Sequence, residues 1–143
     1  MLLTKAQKQK IDQIGKKYNL RLILLFGSFS RGEARPESDL DIAILGQEPI
    51  SFDTLLRIYS EMPFVFDNDG NKRRDLDLVS LHDVNPLFRF YVMRDSILLY
   101  GKSIDYYSFK AYAFRDYQES QSLLKLMDIL INKRQKYLLK NYA

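Results

Sequence analysis

Leu25-Phe26-Gly27-Ser28-Phe29-Ser30-Arg31-Gly32, followed by Ser38-Asp39-Leu40-Asp41-Ile42-Ala43-Ile44-Leu45, is the stretch from which the rest of this 143-residue chain can be read. Gly27 and Ser28 stand where the apolar run Leu20 to Phe26 ends. A buried strand giving way to a short helix at Ser28 would turn free N–H groups and the helix dipole into a cleft. Such a corner attracts phosphate. Gly27 lets an anion approach the main chain closely, and the Ser28 hydroxyl adds a donor. Asp39 and Asp41 lie two apart on a second expected strand, Asp39 to Leu45, which places both on one face with Cα atoms about 6.5 to 7 Å apart. Amid apolar neighbours they repel and lose hydration unless a cation neutralises them. Oxygen ligands without His or Cys nearby select Mg²⁺ or Mn²⁺ over zinc. A third run, Asp75 to Leu81, carries Asp75 and Asp77. If it lies beside the second, either acid completes a three-carboxylate cage for two divalent ions about 3.5 to 4 Å apart, as phosphoryl transfer uses. The plain alternative makes Asp39 a turn cap and Asp41 a salt-bridge partner.

Outward from this stretch the elements follow from periodicity and punctuation. Thr4-Lys5-Ala6-Gln7 has the capping-box form and Ile11, Ile14 and Tyr18 recur at helical spacing, so a helix is expected from about Thr4 to Tyr18. Leu20 to Phe26, interrupted only by Arg21, suits a strand covered on both faces. Ser51 caps a helix running to Tyr59, Asp67 to Lys72 reads as a polar loop, and Pro86 opens a helix at its first position. Ser96 to Tyr100 is a short fourth strand closed by Gly101. From about Asp105 to Leu139 runs one long helix or a pair. Its second half leaves only Lys125, Asp128 and Asn132 as a polar stripe, an apolar face wider than one docking surface requires. That segment either fills a groove of its own domain or is held between this chain and a partner. With no repeat or linker, the expectation is a single α/β (α+β) domain. It has a small mixed sheet flanked by helices, a core over about 1–103 and a helical segment over about 104–143.

Composition removes several classes of function. There is no Cys, and His82 is the single histidine, which excludes thiolate zinc sites, thiol catalysis and His-rich metal ligation, and disfavours a serine triad. His82 is better suited to holding a strand end. No apolar run approaches the roughly 20 residues of a membrane span, and the charged start lacks a secretory core, so the expected location is cytoplasmic. The net charge of +4 is uneven: residues 1–18 and 132–143 each carry +4, and the middle carries −4. Such basic ends can meet nucleic acid or an acidic protein, but a solvated charged face is the commoner meaning. Direct DNA binding is not expected.

Two competing motifs fail. Gly27 and Gly32 have Walker A spacing, yet Glu33 and Ala34 replace its Lys and Ser or Thr. Asp67, Asp69 and Asn71 begin like a calcium loop, but Lys72 and Leu78 occupy its glycine and glutamate positions. With the Gly-Ser corner, the Asp-x-Asp strand and a later acidic strand in place, the chain resembles the polymerase β-like nucleotidyltransferase superfamily. Within it, the chain is similar to the minimal nucleotidyltransferase (MNT) branch and the MntA-like antitoxins. The family's third element, an Asp between hydrophobic residues, selects Asp77 in Leu76-Asp77-Leu78-Val79 over Asp75. Ser80 departs from the acid often found after that Val.

The resemblance implies an enzyme: an antitoxin that transfers AMP from ATP onto a tyrosine of a HEPN-domain RNase toxin (HepT-like), silencing it. It implies Asp39, Asp41 and Asp77 as catalytic metal ligands for two Mg²⁺. It also implies a nucleotide-binding set of Gly27, Ser28, Arg31, Gly32 and Ser38. Arg31 has a second reading, a local ion pair in an exposed turn. The chain has no room for the substrate-binding or template-holding domains of larger relatives, so a second subunit completes the acceptor side in a hetero-oligomer. The alternatives are an antitoxin acting by binding alone, and a nucleotidyltransferase of small molecules or RNA ends.

Overall fold

The first helix, α1 (Lys5–Lys17), starts because Thr4 caps it: Gln7 N–H donates to Thr4 Oγ1 at 3.2 Å, and Thr4 N–H donates to Gln7 Oε1 at 3.0 Å. The computed structural model describes residues 3–33, 39–66 and 75–142. The chain leaves α1 through Asn19, at φ +53°, a residue type that tolerates the left-handed region. It then enters β1 (Leu20–Phe26), turns back in β2 (Leu40–Gly46), and rises through α2 (Phe52–Glu61) and α3 (Pro63–Phe66). After β3 (Leu76–Ser80) come α4 (Pro86–Arg94), β4 (Ile97–Tyr100) and α5 (Ser103–Tyr142). Ser51 and Asn85 cap α2 and α4, and Pro86 sits at the head of α4.

The sheet order is β3-β2-β1-β4, with β1 antiparallel to β2 and β4 and with β2 parallel to β3. Side-chain alternation divides it into two buried faces. Ile23 and Leu25 of β1 and Ile42 and Ile44 of β2 pack with Ile11, Ile14, Ile58 and Val65 under α1, α2 and α3. Leu22, Leu24, Ala43 and Leu45 pack with Val92, Met93, Tyr106 and Ala113 under α4 and α5. Burial on both sides explains why these strands read as continuous apolar runs.

Polar groups tie the ends of the elements. Tyr18 Oη and Lys17 Nζ both donate to Glu61 Oε1, at 2.8 and 2.6 Å, joining α1 to α2. Gly46 N–H donates to His82 Nε2 at 3.1 Å, so His82 holds a strand end, as its sequence position suggested. Arg89, only 11% exposed, donates to the carbonyls of Leu81 and Val84 and to Asp116 Oδ2, pinning the β3–α4 loop to α5. Arg89→Met should therefore cost about 2–4 kcal/mol in chemical denaturation by orphaning three acceptors. Arg89→Lys should not restore it, because an ammonium cannot span them. Ser80 is buried and its Oγ has no hydrogen-bond partner among the described residues. Ser80→Ala should leave stability unchanged or raise it by up to about 1 kcal/mol in the same assay.

Two expectations are revised. The helix expected at Ser28 is a run of turns among the described residues: Arg31 N–H reaches Gly27 O, Gly32 N–H reaches Phe29 O, and Glu33 N–H reaches Ser28 O. Gly32, at φ +70°, interrupts any right-handed spiral there. Asp39 and Asp75 lie just outside their strands; pairing begins where Leu40 N–H donates to Asp75 O at 2.8 Å. The four-residue α3 is too short to leave a periodic signature. Of the two readings of the last segment, one helix or a pair, the structure has the single helix, 40 residues long. Ser38 and the polar loop Asp67 to Lys72 lie outside the described residues. Among the described residues, no helix is long and apolar enough to cross a membrane.

Candidate active site

Strand pairing assembles the site at one end of the sheet. Asp41, early in β2, is in register with Phe26, the last residue of β1, and with Asp77, early in β3. Cross-strand partners on a parallel pair point to the same side, so Asp41 and Asp77 project together on the face that α4 and α5 cover further along. Neither strand alone brings them together; the β2–β3 register does. Between Asp75 and Asp77, it is Asp77 that stands beside Asp41.

Gly27 closes the other side. Its backbone has φ +74°, and a Cβ built there would stand 2.1 Å from Asp41 Oδ2, so the bare Cα is what lets the carboxylate sit against the turn. The Ser30 hydroxyl donates to Gly27 O at 2.8 Å and closes the same turn. Ser30 was missing from the expected set, although the spacing Gly27-Ser28-Phe29-Ser30 is that of a hydroxyl turn. Gly32, also left-handed, has nothing within 4 Å of where a Cβ would be, and so borders open space.

The electrostatics mark Asp41 as the strained member. Its carboxyl is held above the ordinary carboxylate range first by burial and then by the charges of Asp77 and Asp39, with Arg31 partly offsetting them. Arg31 forms the local ion pair, Nε to Glu33 Oε2 at 3.2 Å, while its charge still reaches Asp41. Asp39 and Asp77 are exposed. Among the described residues, no three His, Cys, Asp or Glu side chains already form a closed metal cage. The like charges of Asp77 and Asp39 act against that of Asp41. The donor set is nevertheless all oxygen, and a half-buried carboxylate raised by its acidic neighbours is the group a hard divalent cation would relieve. The residues therefore fit Mg²⁺.

A cleft of about 560 Å³ lies elsewhere, lined by Asp12, Lys16, Arg21, Tyr100 and Lys102 among others. It opens at the start of β1, the opposite end of that strand from Gly27, and contains none of the site acids. The Arg21–Asp105 pair, 3.1 Å long, lies along it. Charge and backbone converge at the acids and not at this cleft.

Several known proteins resemble the chain. Two candidate protein adenylyltransferases of Methanocaldococcus jannaschii are similar to it. One is 26% identical over 90 residues, 63% of this chain and 90% of its own length; the other is 33% identical over 85 residues, 59% and 81%. A third from the same organism is 37% identical over 60 residues, and the chain spans only 58% of its length. Among solved structures, a toxin–antitoxin with AMP-PNP superposes with a TM-score of 0.69 at 25% identity, covering 87% of this chain and 98% of that one. The complex of tri-AMPylated Shewanella oneidensis HEPN toxin with MNT antitoxin shares the fold, with a TM-score of 0.64 at 23% identity over 87% of this chain and 96% of the matched one. The family model described as Polymerase beta, Nucleotidyltransferase matches residues 9–105, the span from α1 through the sheet to the start of α5. That span holds Gly27, Asp39, Asp41 and Asp77, and the chain belongs to the polymerase beta nucleotidyltransferase family.

Proposed function

We propose that this chain is an antitoxin that transfers AMP from ATP onto a tyrosine of a cognate HEPN-domain RNase toxin, acting as one nucleotidyltransferase unit over residues 1–143 in the cytoplasm. The observation that carries the reading is Asp41, held between the bare Cα of Gly27 and the in-register Asp77. The candidate adenylyltransferases of M. jannaschii and the AMP-PNP-bound toxin–antitoxin support the choice of ATP and of a protein acceptor.

The chemistry divides among the chain's own residues. The Gly27–Ser28 turn receives the β and γ phosphates of ATP, with Gly27 allowing close approach and the Ser28 hydroxyl donating; Gly32 borders the same nucleotide. Arg31 places positive charge beside those phosphates. Asp39, Asp41 and Asp77 would hold two Mg²⁺, which when bound offset charge on the phosphates and on the attacking oxygen. A tyrosine hydroxyl ordinarily titrates near 10, so attack at neutral pH needs a base. Asp77, exposed and in register with Asp41, takes the phenolic proton. The phenolic oxygen forms its bond to the α-phosphorus, the bond between that phosphorus and the α–β bridging oxygen breaks, and pyrophosphate leaves in line.

The test is direct. Purified chain, Mg²⁺ and toxin are incubated with ATP labelled at the α- or the γ-phosphorus. Label on the toxin from the α position alone is expected. Toxin that is neutralised without acquiring α label would replace transfer by simple binding, and label on RNA or a small molecule without any protein acceptor would replace the substrate.

A further inference from the structure

Tyr117 of α5 stacks its ring on Phe90 of α4 at 4.4 Å between centroids. Every residue from Gln121 to Tyr142 is exposed, so the helix continues as a free rod about 33 Å long. Most helical stability in proteins comes from packing an apolar face, so a rod this exposed calls for a surface to cover it. Seven of the nine residues from Leu123 to Ile131 are Leu, Ile or Met, each between 47% and 58% exposed. At 100° per residue they span an arc of about 220°, leaving Lys125, Asp128 and Asn132 as the polar stripe. A single docking face covers roughly half of such an arc, so the occupant must enclose the rod on two sides. Charge narrows the choice. Beyond Asp128 the rod carries Lys133, Arg134, Lys136 and Lys140 and no acid. A second copy would answer those four cations with only Glu119 and Asp128, and the paired rods would repel. Nucleic acid offers nothing to the apolar arc. A membrane surface takes a helix with one apolar side and a broad polar one, which is not this pattern.

We infer that the distal half of α5, from Gln121 to Tyr142, is the arm that docks the toxin, seated in an apolar groove of the partner with an acidic rim over Lys133 to Lys140. This rests on the pairing proposed above and adds to it the surface that makes the pairing. The nucleotidyltransferase body supplies the chemistry, and the arm raises the local concentration of the acceptor tyrosine.

Leu126→Glu with Leu130→Glu, made in the full chain, tests it. Glu is a good helix former and both side chains are exposed, so circular dichroism and ATP affinity should match wild type. The KM for toxin in the labelling reaction should rise about a hundredfold, with kcat at saturating toxin unchanged. Lys133→Glu with Lys136→Glu should weaken toxin binding likewise and reduce its salt dependence. An unchanged KM in the leucine variant, while wild type labels the toxin, would overturn the arm and leave the adenylylation reading standing. So would a wild-type chain that is a stable dimer by light scattering and becomes a monomer in the variant, or an arm that binds vesicles of anionic lipid while toxin affinity ignores both variants. Wild type that neither binds nor labels the toxin would remove both readings together.

Discussion

Asp41→Asn is expected to lower AMP transfer about a thousandfold and, at neutral pH without divalent metal, to raise the melting temperature of the protein. The two effects have one cause. Burial and the charges of Asp77 and Asp39 raise the Asp41 carboxyl above its ordinary value, so the folded chain binds that proton more tightly than the unfolded chain. The stabilisation from Asp41 is then fully present below the ordinary value of 3.8 and is lost as pH rises through the higher folded value. Above that window the ionised carboxylate burdens the fold, and asparagine removes the burden. Melting curves of wild type and variant in EDTA should therefore separate at neutral pH and approach each other in acid. Adding Mg²⁺ should raise the wild-type midpoint and leave that of the variant nearly still. A variant that melts lower than wild type in EDTA would show that Asp41 is a structural partner and not a cation ligand.

Gly27→Ala is expected to cost about 1–2 kcal/mol of stability and at least about a hundredfold in transfer. The backbone at φ +74° already penalises any side chain, and the added Cβ would stand 2.1 Å from Asp41 Oδ2. The carboxylate end is the flexible partner, so the relaxation that saves the fold swings Asp41 away from Asp77. Activity should fall much further than stability, and denaturation alongside single-turnover labelling reads the two separately. Equal, small losses in both would mean that the Gly27–Asp41 contact is incidental to the reaction.

The parts of the fold that were legible are those with strong local signals. Leu20–Phe26 is a strand because it is buried on both faces, Thr4 and Gln7 form a reciprocal cap, and Pro86 opens α4. The acids were legible as residues, since carboxylates in apolar runs require an explanation. Their geometry was less so. Asp75 and Asp77 look alike along the chain, and only the β2–β3 register sets Asp77 against Asp41. The turn after Gly27 was misread because a glycine followed by hydroxyl residues suits either a helix start or a left-handed turn. The local Ser30 bond to Gly27 O and the left-handed conformation of Gly32 decide for the turn. The continuity of α5 was hidden for a related reason: its aromatic half packs on the body and its aliphatic half does not, so one helix carries two unlike patterns.

The parallel pairing of β2 with β3 also governs when the protein becomes competent. Parallel neighbours cannot meet through a hairpin, and here α2 and α3 must be made and docked before Asp77 reaches Asp41. Contacts of that range form late. A chain emerging from the ribosome would hold its glycine turn and first aspartates early yet remain chemically silent until the third strand is laid down, so incomplete translation products should be inert toward nucleotide rather than weakly active.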